Sequence, residues 1–267
     1  MDNRPILFID SGIGGLVYCG DFIKRCPREE VCYLADRENF PYGQREKDEL
    51  AQILLSLTEK LIKKINPKII VLACNTAAVS ALEPLRQNFP SVLFVGTVPA
   101  IKPAVNASKT GKTGVLGTAR TINDPYNQHL ADECGKNCEI IGIAAPDLVE
   151  FVEQRLDKAD KNEKTAIVKK YIDIFRSKGA DTIVLGCTHF LHLLDEFQNT
   201  AAPSIQIFDS LDGVTKRIEH LLDENNNALR ASPNSKPEYK LLLTGKEPPD
   251  SVWENRAQDF GFKLGLV

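Results

Sequence analysis

The chain has 267 residues, 43% of them hydrophobic and 26% charged, with a net charge of −3. That length suffices for one large or two smaller buried cores, and the composition is that of an ordinary globular protein. The mild acidity leaves no basic footprint for nucleic acid, and no apolar run reaches the roughly 18 residues needed to cross a bilayer, so neither partner is expected.

From the N-terminus, MDNRPILFID holds too short an apolar stretch for a secretory leader, so a cytoplasmic location is expected. PILFID then reads as a strand and breaks into the glycine-rich DSGIGGL. VCYLAD is the next strand, followed by the loop RENFPYGQR and a long amphipathic helix over KDELAQILLSLTEKLIKKI. KIIVLA runs into Cys74, VLFVGT leads to the proline-marked TVPAIKPAV, and TGVLGT and EIIGIA continue the alternation. A second clear helix, NEKTAIVKKYIDIFRSKG, stops at Lys178-Gly179; DTIVLG runs into Cys187, and SIQIFD and EYKLLLT close the series. The polar stretch DENNNALRASPNSKPE is expected to be a surface loop.

Near-continuous apolar strands alternating with amphipathic helices imply parallel sheets covered on both faces. The chain also repeats itself coarsely. ILFIDSGIGGL and TGVLGTARTI both break a strand into glycine with a hydroxyl residue, Ser11 and Thr118 lying 107 residues apart. KIIVLACNTAA and DTIVLGCTHFL both end a strand in a small residue and a thiol, Cys74 and Cys187 lying 113 apart. The expected architecture is α/β, with two similar doubly wound domains of parallel-rich sheets. Residues 1–97 plus 211–267 form the domain carrying Cys74, residues 98–210 the domain carrying Cys187, and the active site lies in the cleft between them.

Seven cysteines in a cytoplasmic chain of this size are expected as free thiols. At a strand's carboxyl end and a helix's start, Cys74 and Cys187 would meet unpaired backbone N–H groups, which favour thiolate and thus base chemistry. Thr76 and Thr188 are candidate helix caps or ligands for a substrate carboxylate, and Asn75 a further hydrogen-bonding group. His189 is a candidate proton relay beside Cys187. Asp10 and Ser11 stand at the rim of the glycine loop, whose spacing fits neither a dinucleotide fingerprint nor a P-loop. Pro41, Tyr42 and Gly43, after Asp36, suit a loop that covers a pocket. His129, Cys134 and Cys138 lack a fourth ligand at zinc spacing, and no Cys-x-x-Cys occurs, so neither a metal nor a dithiol redox centre is expected. Two thiol bases, one per half, suit removal of a proton from one face of a carbon and its return to the other.

DSGIGGL, NFPYG, ACNTA, VPAIKPA, LGTART and GCTHF, in this order, resemble the glutamate racemase family from residue 6 to about 210. The resemblance implies a cofactor-independent isomerase that interconverts L- and D-glutamate without pyridoxal phosphate, supplies D-glutamate for peptidoglycan and forms a homodimer. It implies that Cys74 and Cys187 are the catalytic acid/bases, acting on D- and L-glutamate respectively, with Asp10, His189 and Glu153 as their assistants. It also implies a substrate-binding set of Asp10, Ser11, Pro41, Tyr42, Gly43, Cys74, Asn75, Thr76, Thr118, Thr121, Cys187, Thr188 and His189. A related racemase of aspartate or another acid is the alternative. The sequence departs from the family's pattern at Lys102, Leu191 and Ala145.

Overall fold

The apolar strands assemble into two sheets in which every pairing is parallel. The structure, a computed structural model, describes residues 1–135, 137–224 and 229–267. The chain divides into two compact units, Met1–Thr97 with Leu211–Val267, and Val98–Ser210.

In the first unit the order is β1 (Ile6–Asp10), α1 (Leu16–Arg25), β2 (Val31–Ala35), α2 (Lys47–Ile65), β3 (Ile69–Leu72), α3 (Asn75–Asn88) and β4 (Leu93–Gly96). The second unit contributes α4 (Ile101–Ala107), β5 (Lys112–Gly117), α5 (Ala119–Ile122), α6 (Tyr126–Asp132) and β6 (Glu139–Ala144). It continues with α7 (Pro146–Gln154), α8 (Lys161–Ser177), β7 (Thr182–Gly186), α9 (Leu194–Ala201) and β8 (Gln206–Phe208). The chain then returns to the first unit with α10 (Leu211–Glu224), β9 (Tyr239–Leu243), α11 (Ser251–Asp259) and β10 (Lys263–Leu266).

The first sheet runs β10-β9-β2-β1-β3-β4 and the second β6-β5-β7-β8. Within each, a central strand pairs with the strand that follows it on one side and with the next on the other. Thus β1 lies between β2 and β3, and β5 between β6 and β7. The second sheet therefore repeats the β2-β1-β3-β4 part of the first. The sequence repeat is a topological one, with β5 standing for β1 and β7 for β3.

Alternation along the strands divides the apolar load between two faces. Leu7, Ile9, Leu34, Ile70 and Leu72 pack with Leu50, Leu54 and Leu61 of α2 and with Ala77, Ala81 and Leu85 of α3. In the second unit Val115 and Val184 join Ile101, Ala104 and Val105 of α4 and Leu130 of α6. Helix α8 begins with a reciprocal capping box between Asp160 and Glu163, and ends before Gly179, whose φ of +78° a side chain would resist.

Two expectations needed adjustment. Strand β10 was not anticipated, because Lys263 and Gly265 interrupt its apolar run and it pairs only at the sheet edge beside β9. Of the expected loop over residues 223–238, the part at 225–228 lies outside the described residues. Asp223 and Glu224 belong to the end of α10, and residues 229–238 carry neither helix nor strand.

Candidate active site

In an open parallel sheet the chain leaves a crevice beyond the strand ends where successive connections depart to opposite sides. The first unit has that switch point between β1 and β3, the second between β5 and β7. Asp10 ends β1 and Cys74 follows β3; Thr118 follows β5 and Cys187 follows β7. Each unit thus brings one thiol and one oxygen-bearing side chain to its own switch point.

Both cysteines are extended residues at the hand-over from strand to helix. Cys74 (φ −145°, ψ 122°) is the N-cap of α3, and Cys187 (φ −139°, ψ 134°) precedes a 3₁₀ turn over Thr188–Leu193. They are 7% and 6% exposed, buried by packing and seated at the first turn of the helical segment that follows each. This geometry corrects the capping role considered for Thr76 and Thr188. The cap position belongs to the cysteine in each case, and both threonines lie one or two residues too late to fill it.

On the first unit, Asp10 is fully buried, and its Oδ1 accepts hydrogen bonds from the Ser11 backbone N–H at 2.6 Å and the Ser11 hydroxyl at 3.4 Å. Pro41, Tyr42 and Gly43 form a turn packed on α3. The buried Tyr42 hydroxyl donates to Asp36 Oδ2 at 2.7 Å. Burial, and then the Asp36 carboxylate, push the Tyr42 phenol well above its ordinary value, and Cys74 and Asp10 are near enough to add to the effect. Tyr42 is therefore a neutral phenol whose proton is committed to Asp36. Asn75 is 2% exposed, and neither end of its amide has a hydrogen-bond partner among the described residues. A buried polar group in that state costs about 1–3 kcal/mol, a debt that a polar ligand relieves. Thr76 is buried beside it.

On the second unit, Thr118 caps α5. Its Oγ1 accepts from the Thr121 backbone N–H at 3.2 Å and shares a hydrogen bond with the Thr121 hydroxyl at 3.1 Å. Cys187 Sγ lies 3.6 Å from His189 Nδ1, and His189 Nε2 lies 2.6 Å from Glu153 Oε1, on α7. Sulfur, imidazole and carboxylate form one line. Burial opposes charge on His189, but hydrogen bonds to Cys187 and Glu153 outweigh it and raise the imidazole well above its ordinary 6.5. A protonated imidazole so held can pass a proton to the sulfur and orient it.

The other candidates separate. Cys138 Sγ pairs with Thr113, Cys134 Sγ with the Leu130 carbonyl, and His129 with Glu133. No group of three or more potential metal ligands occurs among the described residues. Lys102 pairs with Glu133 at the surface, Leu191 is buried in the turn after Cys187, and Ala145 is the buried N-cap of α7. Asp36 also accepts a hydrogen bond from Thr244, which no local pattern could have marked, because 208 residues separate them.

The fold recurs in known proteins. The Asp/Glu/hydantoin racemase family model matches residues 22–217. A glutamate racemase of Bartonella tribocorum (strain CIP 105476 / IBS 506) is 35% identical, over 99% of this chain and 96% of that one. The crystal structure of glutamate racemase isoform RacE1 from Bacillus anthracis superposes with a TM-score of 0.83 at 29% identity, covering 100% of this chain and 97% of that one. Escherichia coli glutamate racemase, in complex with L-glutamate and activator UDP-MurNAc-ala, superposes at 0.85 with 26% identity, covering 98% and 97%. With the model match spanning most of its length, the chain belongs to the Asp/Glu/hydantoin racemase family and is an isomerase.

Proposed function

We propose that the protein is a glutamate racemase working by two thiol bases, in the cytoplasm, in the supply of D-glutamate for peptidoglycan. The carrying observation is the equivalence of Cys74 and Cys187, each an N-cap thiol at the switch point of its own sheet. The glutamate assignment draws on the relatives' names and on the L-glutamate held by the Escherichia coli enzyme.

In the D-to-L direction Cys74, as thiolate, removes the α-proton and becomes a thiol. The Cys187 thiol delivers a proton to the opposite face of the same carbon and becomes a thiolate. The L-to-D direction reverses both roles, so the proton count balances over a full cycle. Asp10 assists on the Cys74 side, while His189, held by Glu153, assists Cys187 and stabilises whichever ionic form it takes. Ser11, Asn75, Thr76, Tyr42 and Gly43, with Thr118, Thr121 and Thr188, bind the substrate's carboxylates and ammonium group. The buried, unpartnered amide of Asn75 gives that binding an energetic motive. Preorganised donors around the developing carbanion lower the barrier without an organic cofactor.

The test is incubation with L-glutamate in D₂O without added pyridoxal phosphate, followed by optical rotation and by loss of the α-proton NMR signal. Both are expected to decay together, and Cys74→Ser and Cys187→Ser each to abolish racemisation. Reaction of aspartate instead of glutamate would remove the substrate assignment, and full activity in either variant would remove the two-base mechanism.

A further inference from the structure

The C-terminal segment lies beyond residue 210, where the resemblance by motif ends, yet it touches the loop that leads to Tyr42. Strand β9 pairs with β2, and the residue after it, Thr244, is 5% exposed. Its backbone N–H donates to the Ala35 carbonyl at 3.2 Å, extending the sheet by one residue. Its hydroxyl donates to Asp36 Oδ1 at 2.8 Å and accepts from the Glu38 backbone N–H at 3.0 Å. Its carbonyl accepts from Arg37 Nε at 3.2 Å, and the same guanidinium reaches the Glu247 carbonyl at 2.5 Å. One residue thus holds the first three residues of the loop that leads to Tyr42.

Asp36 is the pivot. Its two oxygens accept from Thr244 on one side and from Tyr42 on the other, with Asn39 Nδ2 bridging both at 3.0 and 2.9 Å. The carboxylate plane is set by these donors, and that plane fixes the direction in which the Tyr42 hydroxyl must point to keep its 2.7 Å bond. With its proton given to Asp36, the phenol oxygen offers only lone pairs to anything else nearby. Cys74 and Asp10 lie in its electrostatic reach.

We propose that Thr244 is a positioning residue for the substrate-binding turn: acting through Asp36, its hydroxyl sets the orientation of Tyr42 beside Cys74. The inference rests on the reading of Tyr42 and Gly43 as substrate-binding groups. It gives the C-terminal segment a part in substrate affinity.

Thr244→Val deletes the hydroxyl at nearly constant volume, and Thr244→Ser restores it. Steady-state racemisation of glutamate is expected to show KM raised about tenfold in Thr244→Val, the scale of one lost hydrogen bond to a charged group, with kcat within about twofold and Thr244→Ser near wild type. A second readout needs no substrate. In protein labelled with ¹³C at the tyrosine ring carbon bearing oxygen, the Tyr42 resonance, assigned by its loss in Tyr42→Phe, is expected to shift in Thr244→Val and return in Thr244→Ser. An unmoved resonance with unchanged KM overturns the proposal. So does an equal fall of kcat and melting temperature in the Val and Ser variants, which marks a purely structural residue. If Thr244→Val does not fold, Thr244→Ala makes the same deletion and is read the same way. Absence of glutamate racemisation by the wild-type protein would sink the glutamate reading, while the Tyr42 resonance would still decide the coupling.

Discussion

Burial alone would strip the charge from His189; its bonds to Cys187 and Glu153 restore it and raise the imidazole well above 6.5. A histidine raised by folding adds stability that is full below its unfolded value and is lost as pH rises through its folded value. Glu153→Gln keeps a hydrogen-bonding side chain at His189 but removes a negative charge, so the His189 titration should move to lower pH. The stability difference between wild type and variant should be full at pH 6.5 and close only as pH rises through the folded value of the wild-type His189, well above 6.5. An NMR titration of the imidazole, with urea unfolding at several pH values, checks both; an unmoved titration would show that the carboxylate does not hold the proton on His189. Racemisation by Glu153→Gln should lose its activity at the alkaline limb earlier than wild type, because the protonated imidazole is then lost at a lower pH. At this scale the sequence pointed to Cys187 and His189 through adjacency. The 2.6 Å bond from His189 to Glu153 joins residues 36 apart on different elements, which adjacency does not reveal.

Between α1 and β3 the elements meet with almost nothing in the gap. A Cβ on Gly15, the N-cap of α1, would stand 2.7 Å from the Ala73 Cβ and 2.8 Å from the Ala73 carbonyl oxygen. Backbone cannot yield as a flexible side chain does, so either α1 backs away or Ala73 moves, and Ala73 is bonded to Cys74. Gly15→Ala is expected to cost about 1–3 kcal/mol and to lower racemisation by more than the lost folded fraction accounts for. Urea unfolding beside activity per folded molecule measures both, and wild-type activity in a destabilised variant would show that the shift is absorbed by the helix. Elements with a strong periodic face were readable in the sequence: α2 occupies Lys47–Ile65, the run marked by its leucines and its lysine-rich end. β10 was not, since an edge strand needs one partner and no continuous apolar pattern.

Across the first unit, distant segments are knotted together by one buried ion pair. Lys68, whose side chain is 0% exposed, meets Glu29 at 2.6 Å and also donates to the Asp2 and Leu229 carbonyls at 2.7 and 2.9 Å. Glu29 in turn accepts from the Ala231 backbone N–H at 3.0 Å. The N-terminal segment, the entries to β2 and β3, and the segment approaching β9 converge on two side chains. Such a pair is weak evidence of net stability against an apolar replacement, but breaking it strands a buried charge. Lys68→Met is expected to destabilise by about 3–5 kcal/mol, and the double variant Lys68→Met/Glu29→Leu by less. Denaturant titration of the single and double variants tests this, and a neutral single substitution would refute the knot.

What the sequence determined by itself was local or periodic: where the buried strands and the two strongly amphipathic helices lie, that strands are buried on both faces, that thiols follow two of them, and that the chain repeats. Each of these follows from side-chain spacing against a backbone period of two or 3.6, which needs no knowledge of neighbours. Tertiary structure alone decided the order of strands in each sheet, the seat of Glu153 on His189, the bond from Thr244 to Asp36 and the meeting of Lys68 with Glu29. Those pairings depend on which faces pack together after the chain has folded. A lysine, a threonine and a glutamate look like ordinary surface residues until the fold buries them opposite a partner.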